Sequence, residues 1–131
     1  MTRVLLSGCN GRMGQTISRL AAMEDDIEIV AGYDINDSIK NTYPVYTDLF
    51  RCNEDIDVII DFSNPAGLGK LLDYAVSRKI AVVIATTGFS DEQKALMEDA
   101  SKQIPVFTSA NMSLGVNLLI DLVKKATKLL Y

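Results

Sequence analysis

A chain of 131 residues with 48% hydrophobic and 23% charged side chains has the size and composition of one globular domain. Its net charge of −4 and pI near 4.7 argue against a nucleic-acid partner. No uninterrupted apolar run approaches the ~20 residues that span a bilayer, and residues 2–7 are too short for the core of a signal peptide. Histidine is absent, which removes the commonest general acid–base group and the commonest metal ligand. Cys9 and Cys52 are too few for a disulfide framework and read as free thiols of a reducing cytoplasm.

In chain order, Arg3 to Ser7 is a compact apolar strand that runs into glycines at 8, 11 and 14. Met13, Ile17, Leu20 and Ala21 then recur at the spacing of one helical face. Ile27 to Tyr33 reads as a second strand, Asn36 to Pro44 as polar turn, and Thr47 to Arg51 as a short helical turn. Val58-Ile59-Ile60 is a strand buried on both faces that ends in Asp61, and Asn64-Pro65 punctuates it. Leu68, Leu71, Leu72, Ala75 and Val76 mark an amphipathic helix, and Ala81 to Ala85 a fourth strand. Ser90 with Gln93 three residues on is a capping box that opens the next helix. Val106-Phe107-Thr108 is a fifth strand, and Ser113 to Tyr131 the last helix. Alternating strands and helices with short joins predict an α/β fold with a doubly wound parallel sheet. Such sheets bind ligands beyond the C-terminal strand ends, which selects residues 8–14, 34–37, 61–65, 85–90 and 109–113.

The first of these loops reads Gly8-x-x-Gly11-x-x-Gly14, one position longer between its first two glycines than the commoner Gly-x-Gly-x-x-Gly. Gly8 allows a sharp turn out of the strand. Gly11 lets backbone N–H groups approach a pyrophosphate, and Gly14 lets the helix sit close to the sheet. Arg12 is placed to meet phosphate oxygens. Asp34 closes the second strand twenty positions after Gly14, where a carboxylate accepts hydrogen bonds from ribose hydroxyls; the bland alternative is a strand-end Asp bonding its own turn. No Arg lies between 35 and 50, and only Arg12 or Lys40 is at hand for a 2′-phosphate, so NADH is expected over NADPH. Cys9 lies near a helix N-terminus, which predicts a somewhat lowered pKa, but reads as a packing residue. The loops at 61–65, 85–88 and 109–113 are, by themselves, polar strand-end loops that either touch a ligand or do not.

Taken in order, Gly-Cys-Asn-Gly-Arg-Met-Gly, Asp-Phe-Ser-Asn-Pro, Thr-Thr-Gly-Phe and Ser-Ala-Asn-Met-Ser-Leu-Gly-Val-Asn closely resemble the dihydrodipicolinate reductases, also called 4-hydroxy-tetrahydrodipicolinate reductases, of the diaminopimelate route to lysine. The resemblance covers the whole chain, and residues 109–117 are its most specific part. It implies an NAD(P)H-dependent oxidoreductase that transfers hydride to a cyclic unsaturated dicarboxylate. It also implies that Gly8, Cys9, Asn10, Gly11, Arg12 and Met13 line the pyrophosphate and that Asp34 meets the adenosine ribose. Phe62, Ala85, Thr86 and Thr87 would lie at the nicotinamide end. Ser109, Ala110, Asn111 and Met112 would do likewise and form a hinge, with residues 109–131 leading to a substrate domain.

The resemblance has one large departure. Members of the family continue into a second domain carrying a pattern like His-His-x-x-Lys-x-Asp-x-Pro-Ser-Gly-Thr, and this sequence has no histidine. Residues 1–131 are therefore expected to be a Rossmann-type cofactor domain, without a catalytic residue or a metal, inactive alone and cytoplasmic. Self-association is expected through the apolar helix at 113–131, whose Lys124, Lys125 and Lys128 mark only a narrow polar edge. A stand-alone nucleotide-sensing module is the alternative. An epimerase or short-chain reductase is disfavoured, because none of the five tyrosines has a lysine four residues on.

Overall fold

The computed structural model describes residues 2–85 and 88–108. Six parallel strands form one sheet: β1 (Thr2–Ser7), β2 (Ile27–Tyr33), β3 (Val45–Tyr46), β4 (Val58–Asp61), β5 (Ala81–Ile84) and β6 (Val106–Thr108). Their order across the sheet is β3-β2-β1-β4-β5-β6, so the direction of winding reverses between β1 and β4. Three helices, α1 (Arg12–Ala21), α2 (Leu68–Arg78) and α3 (Asp91–Ser101), make the crossovers, with single 3-10 turns at Leu49–Arg51 and Pro65–Gly67.

The central strands are buried on both faces, which is why they read as unbroken apolar runs. Val4, Leu6, Val58, Ile60 and Val83 point to the face that packs on Ile17 and Ala21 of α1. Leu5, Ile59, Val82 and Ile84 alternate onto the other face, against Leu68, Leu71 and Ala75 of α2 and Ala100 of α3. Each fully buried Leu or Ile contributes about 1.5–3 kcal/mol relative to exposure. A one-residue slip would exchange the two faces, so register is fixed by both cores together. The opposite end of the sheet is tied by Asp57, buried, which accepts from the Arg3 backbone N–H at 2.8 Å and from its guanidinium.

The predicted strands match within a residue or two at each end, and α3 opens on the predicted capping box, with both Ser90–Gln93 bonds formed. Strand β3 was not expected. After the turn-rich stretch it pairs Gly32 with Val45 and Tyr33 with Tyr46, a contact fixed by the neighbouring strand and not by local pattern. On α1, Ile17 and Ala21 face the core, but Met13 is 38% exposed. It lies in the first turn, where the helix has not yet reached the sheet. Gly14 also differs from expectation: it packs on the glycine turn itself. A Cβ there would stand 2.2 Å from the Gly8 carbonyl oxygen and 2.7 Å from Cys9 Cα.

Gly14→Ala is therefore expected to lower stability by about 3 kcal/mol, as overpacking against immovable backbone does. Gly69→Ala, in α2 with nothing within 4 Å of the new methyl, is expected to be neutral or to add up to about 1 kcal/mol. Urea denaturation midpoints of the two variants read the contrast.

Candidate functional site

The crevice lies where the winding reverses, beyond the C-terminal ends of β1 and β4. Gly8 turns the chain out of β1 with φ +83°, a conformation that favours glycine. A Cβ on it would also collide with the Phe62 carbonyl carbon at 2.9 Å and with Ser63 N at 3.0 Å. The loops after β1 and β4 thus touch through backbone, and Phe62 N–H donates to the Ser7 carbonyl at 2.9 Å. Gly8 N–H donates to the Tyr33 carbonyl at 2.7 Å, tying the same turn to β2.

Helix α1 begins on Gly11 with no side-chain cap and no acid in its first turn. Helix α3, by contrast, is capped by Ser90 and carries Asp91 and Glu92 in its first turn. The amide end of α1 is thus left to an outside anion. Gly11, Arg12 and Met13 are exposed there.

Asp34 sits across the turn. Its Oδ2 accepts from the Asn10 backbone N–H at 2.9 Å, and its Oδ1 from Asn36 N–H at 3.0 Å. The second bond is the local turn of the bland alternative; the first is a long-range clamp. A carboxylate has about four acceptor positions, so one remains on each oxygen. Asn10 is 6% exposed, and its side chain faces the 36–41 loop. There it donates to the Asn36 carbonyl and accepts from Asn41 Nδ2 at 2.7 Å. Its carbonyl accepts from Gln15 Nε2 at 3.0 Å. Only the backbone of Asn10 is turned toward Asp34, so the side chain holds the loop in place.

Cys9 corrects the expected pKa. Its side chain is fully buried beneath the turn, where a Cβ on Gly32 would stand 2.6 Å from Sγ. Burial, and then the negative charge of Asp34, push the thiol up to about 11. Cys52 is also buried and pushed up to about 11, by burial and by its hydrogen bond to Glu54.

Gly8, Gly11, Asp34, Ile35 and Phe62 line one cavity of about 540 Å³, which Gly67 and Lys70 also line. Ile35, 86% exposed, offers an apolar surface next to Asp34. A second cavity of about 230 Å³ adjoins it and shares Tyr33, Ser63, Gly67 and Lys70. Beneath the loop after β4 lies Asp61, 2% exposed, a residue sequence reasoning left without a role. Burial raises its pKa, while the Ser63 hydroxyl, the Ser63 N–H and the Ser7 hydroxyl hold it down. The Asp61 carbonyl accepts from Ala85 N–H at 3.0 Å, so the same residue ties the ends of β4 and β5. Ala85 is buried at that strand end. Thr86, Thr87, Ser109, Ala110, Asn111 and Met112 lie outside the described residues, as does the helix expected at 113–131. Among the described residues no group of three or more Cys, Asp or Glu side chains is placed to hold a metal ion. No helix among them is long and apolar enough to cross a membrane.

This strand order, with the glycine turn at the reversal, defines a Rossmann-type fold. Comparison with known proteins narrows the class. The family model described as "Dihydrodipicolinate reductase, N-terminus" matches residues 2–112, and the chain belongs to that family. It is 50% identical over 130 residues to the 4-hydroxy-tetrahydrodipicolinate reductase of Caldanaerobacter subterraneus subsp. tengcongensis, covering 99% of this chain and 51% of that protein. It is 42% identical to the enzyme of the same name from Clostridium tetani, over 100% of this chain and 51% of the relative. The chain thus spans about half the length of the curated relatives it matches. Among solved structures, a dipicolinate-bound dihydrodipicolinate reductase from Paenisporosarcina sp. TG-14 superposes with a TM-score of 0.72 at 24% identity, over 93% of this chain and 52% of that one. A myo-inositol 2-dehydrogenase from Lactobacillus plantarum gives 0.63 at 20% identity, over 82% and 36%. These superpositions establish the shared fold.

Both thiols are expected to resist alkylation in the native chain. A rise from the ordinary thiol value of 9.0 to about 11 leaves roughly a hundredfold less thiolate at pH 8, before steric shielding is counted. Iodoacetamide labelling followed by mass spectrometry should be slower by at least that factor in buffer than in denaturing urea. Equal rates would contradict the buried placement.

Proposed function

We propose that this chain is the NAD(P)H-binding part of a 4-hydroxy-tetrahydrodipicolinate reductase. The observation that carries the reading is the uncapped amide end of α1 held next to Asp34 by the Asn10 N–H, with both loops on one cavity. A pyrophosphate fits the first, because its charge meets the uncapped amide end of α1, whose first turn carries no acid. A ribose diol fits the second, because Asp34 keeps one acceptor position free on each oxygen.

In this reading Gly8 to Met13 line the pyrophosphate and Arg12, exposed at the first helical position, meets its oxygens. Asp34 orients the adenosine ribose, and Ile35 covers the base. Phe62, Ala85, Thr86, Thr87 and Ser109 to Met112 serve the nicotinamide end. The bound dinucleotide supplies a hydride for a cyclic unsaturated dicarboxylate. The protein residues bind and orient it, exclude water on the Phe62 side, and leave the substrate and its proton to the second half of the reductase. The cytoplasm is the expected compartment, and the chain alone is expected to catalyse no reduction. Residues 113–131 are read as the surface that meets the second domain or, without it, a second copy.

NADH should quench or enhance fluorescence on titration, with NADH bound more tightly than NADPH. Asp34→Ala should weaken NADH by about 1.5–3 kcal/mol, the worth of hydrogen bonds to a charged group. No binding at millimolar NADH would overturn the nucleotide reading. For the helix, sedimentation at high concentration should show a dimer or larger species that Lys substitutions at two leucines of 113–131 convert to monomer; a clean monomer from the start refutes it.

A further inference from the structure

The cavity that Asp34 lines also carries a cation that neither Arg12 nor Lys40 supplies. Lys70, in the first turn of α2, lines both the 540 Å³ cavity and the adjoining 230 Å³ one. Arg12 and Lys40, the two bases near the glycine turn and the β2 loop in sequence, line neither. Among the described residues lining the larger cavity, Asp34 is the one acid and Lys70 the one base. Lys70 is exposed, and among the described residues no ion pair engages it. A cavity of this volume is on the order of 10 Å across, so two groups that line it can both reach a single phosphorylated ribose.

The two charges act oppositely on the 2′ position of an adenosine ribose. Asp34 accepts from a 2′-hydroxyl and repels a 2′-phosphate. An ammonium lining the same cavity attracts the phosphate dianion as a point charge and gains little from the hydroxyl. We propose that Lys70 is the specificity-determining residue of this site, giving it access to 2′-phosphorylated dinucleotides beside an Asp34 that otherwise excludes them. The proposal rests on the dinucleotide reading above.

The test is the ratio of dissociation constants for NADPH and NADH, measured on the full chain by fluorescence and repeated with 2′,5′-ADP against ADP. Lys70→Gln keeps the helix propensity and most of the length of the side chain and removes its charge. It should raise the NADPH/NADH ratio of dissociation constants 5- to 50-fold while changing NADH by less than twofold. Lys70→Glu should raise it further, and Lys40→Gln should leave it where it was. The wild-type affinity for NADPH should also fall with added salt faster than that for NADH. A merely structural role for Lys70 would move both ligands together. An unchanged ratio in Lys70→Gln, a shift carried by Lys40→Gln instead, or a wild-type chain that binds NADH and rejects NADPH altogether overturns this inference and leaves the dinucleotide reading intact. Failure of the wild-type chain to bind NADH, ADP or 2′,5′-ADP at millimolar concentration removes both.

Discussion

The crevice is organised by one bond: the Asn10 backbone N–H donated to Asp34. It joins the loop that leaves β1 to the loop that leaves β2, and it exists only if both strands are in register. Parallel pairing of Ser7 with Tyr33 brings the two strand ends level. Gly8 then reverses the chain, and Gly14 lets α1 close on the turn until Cys9 is buried under it. Substituting any of these glycines would displace the Asn10 amide. A charge-assisted bond of this kind contributes roughly 1.5–3 kcal/mol. Its greater effect is geometric, since it presents a carboxylate already oriented and already partly desolvated, so that little ordering is left to a ligand.

The clamp extends in two further directions. Through its side chain Asn10 holds Asn36 and Asn41, so a loop with no secondary structure between β2 and β3 keeps a defined path. Tyr43 continues that path: it is buried against Cys9, and its hydroxyl hydrogen-bonds Ser18 on α1 at 2.7 Å. Burial raises the Tyr43 hydroxyl to about 12, so it stays protonated and neutral in the range where proteins work. A helix in this crossover would cover β2 by apolar packing; here a few side-chain bonds do so, which leaves the crevice mouth open at Asp34.

Much of this was legible because it depends on local pattern. Val58 to Ile60 and Ala81 to Ile84 are buried on both faces, and their composition says so. Ser90 and Gln93 form their capping box from residues three apart, with no tertiary help. Gly8 and Asp34 follow from the geometry of any strand–turn–helix that meets a second parallel strand. What the sequence hid depends on contacts between distant segments. Strand β3 is two residues long and exists because β2 offers it an edge. The Cys9 thiol is raised by burial beneath Gly32 and by the charge of Asp34, both more than twenty residues away, against the lowering hydrogen bond of Tyr43. Asn10 has a backbone and a side chain engaged by different residues of one loop, which no spacing rule separates. Lys70 lies thirty-six positions from Asp34, and the two share a cavity only because the sheet order brings the loops after β2 and β4 together.

The electrostatics of the crevice follow from the same arrangement. The chain carries a net charge of −4, yet its Gly11 helix terminus is free of acids and caps, and α3 at the other side of the sheet is not. At physiological ionic strength charges beyond ~8 Å are largely screened, so the local amides and Arg12 govern an approaching phosphate and the overall charge does not. Asp34 then imposes the opposite sign a few ångströms further on, held in place by the amide of the turn it adjoins. A ligand complementary to this surface is anionic at one point and a neutral hydrogen-bond donor at the next. That alternation, more than the glycines alone, separates a dinucleotide site from a simple phosphate cradle.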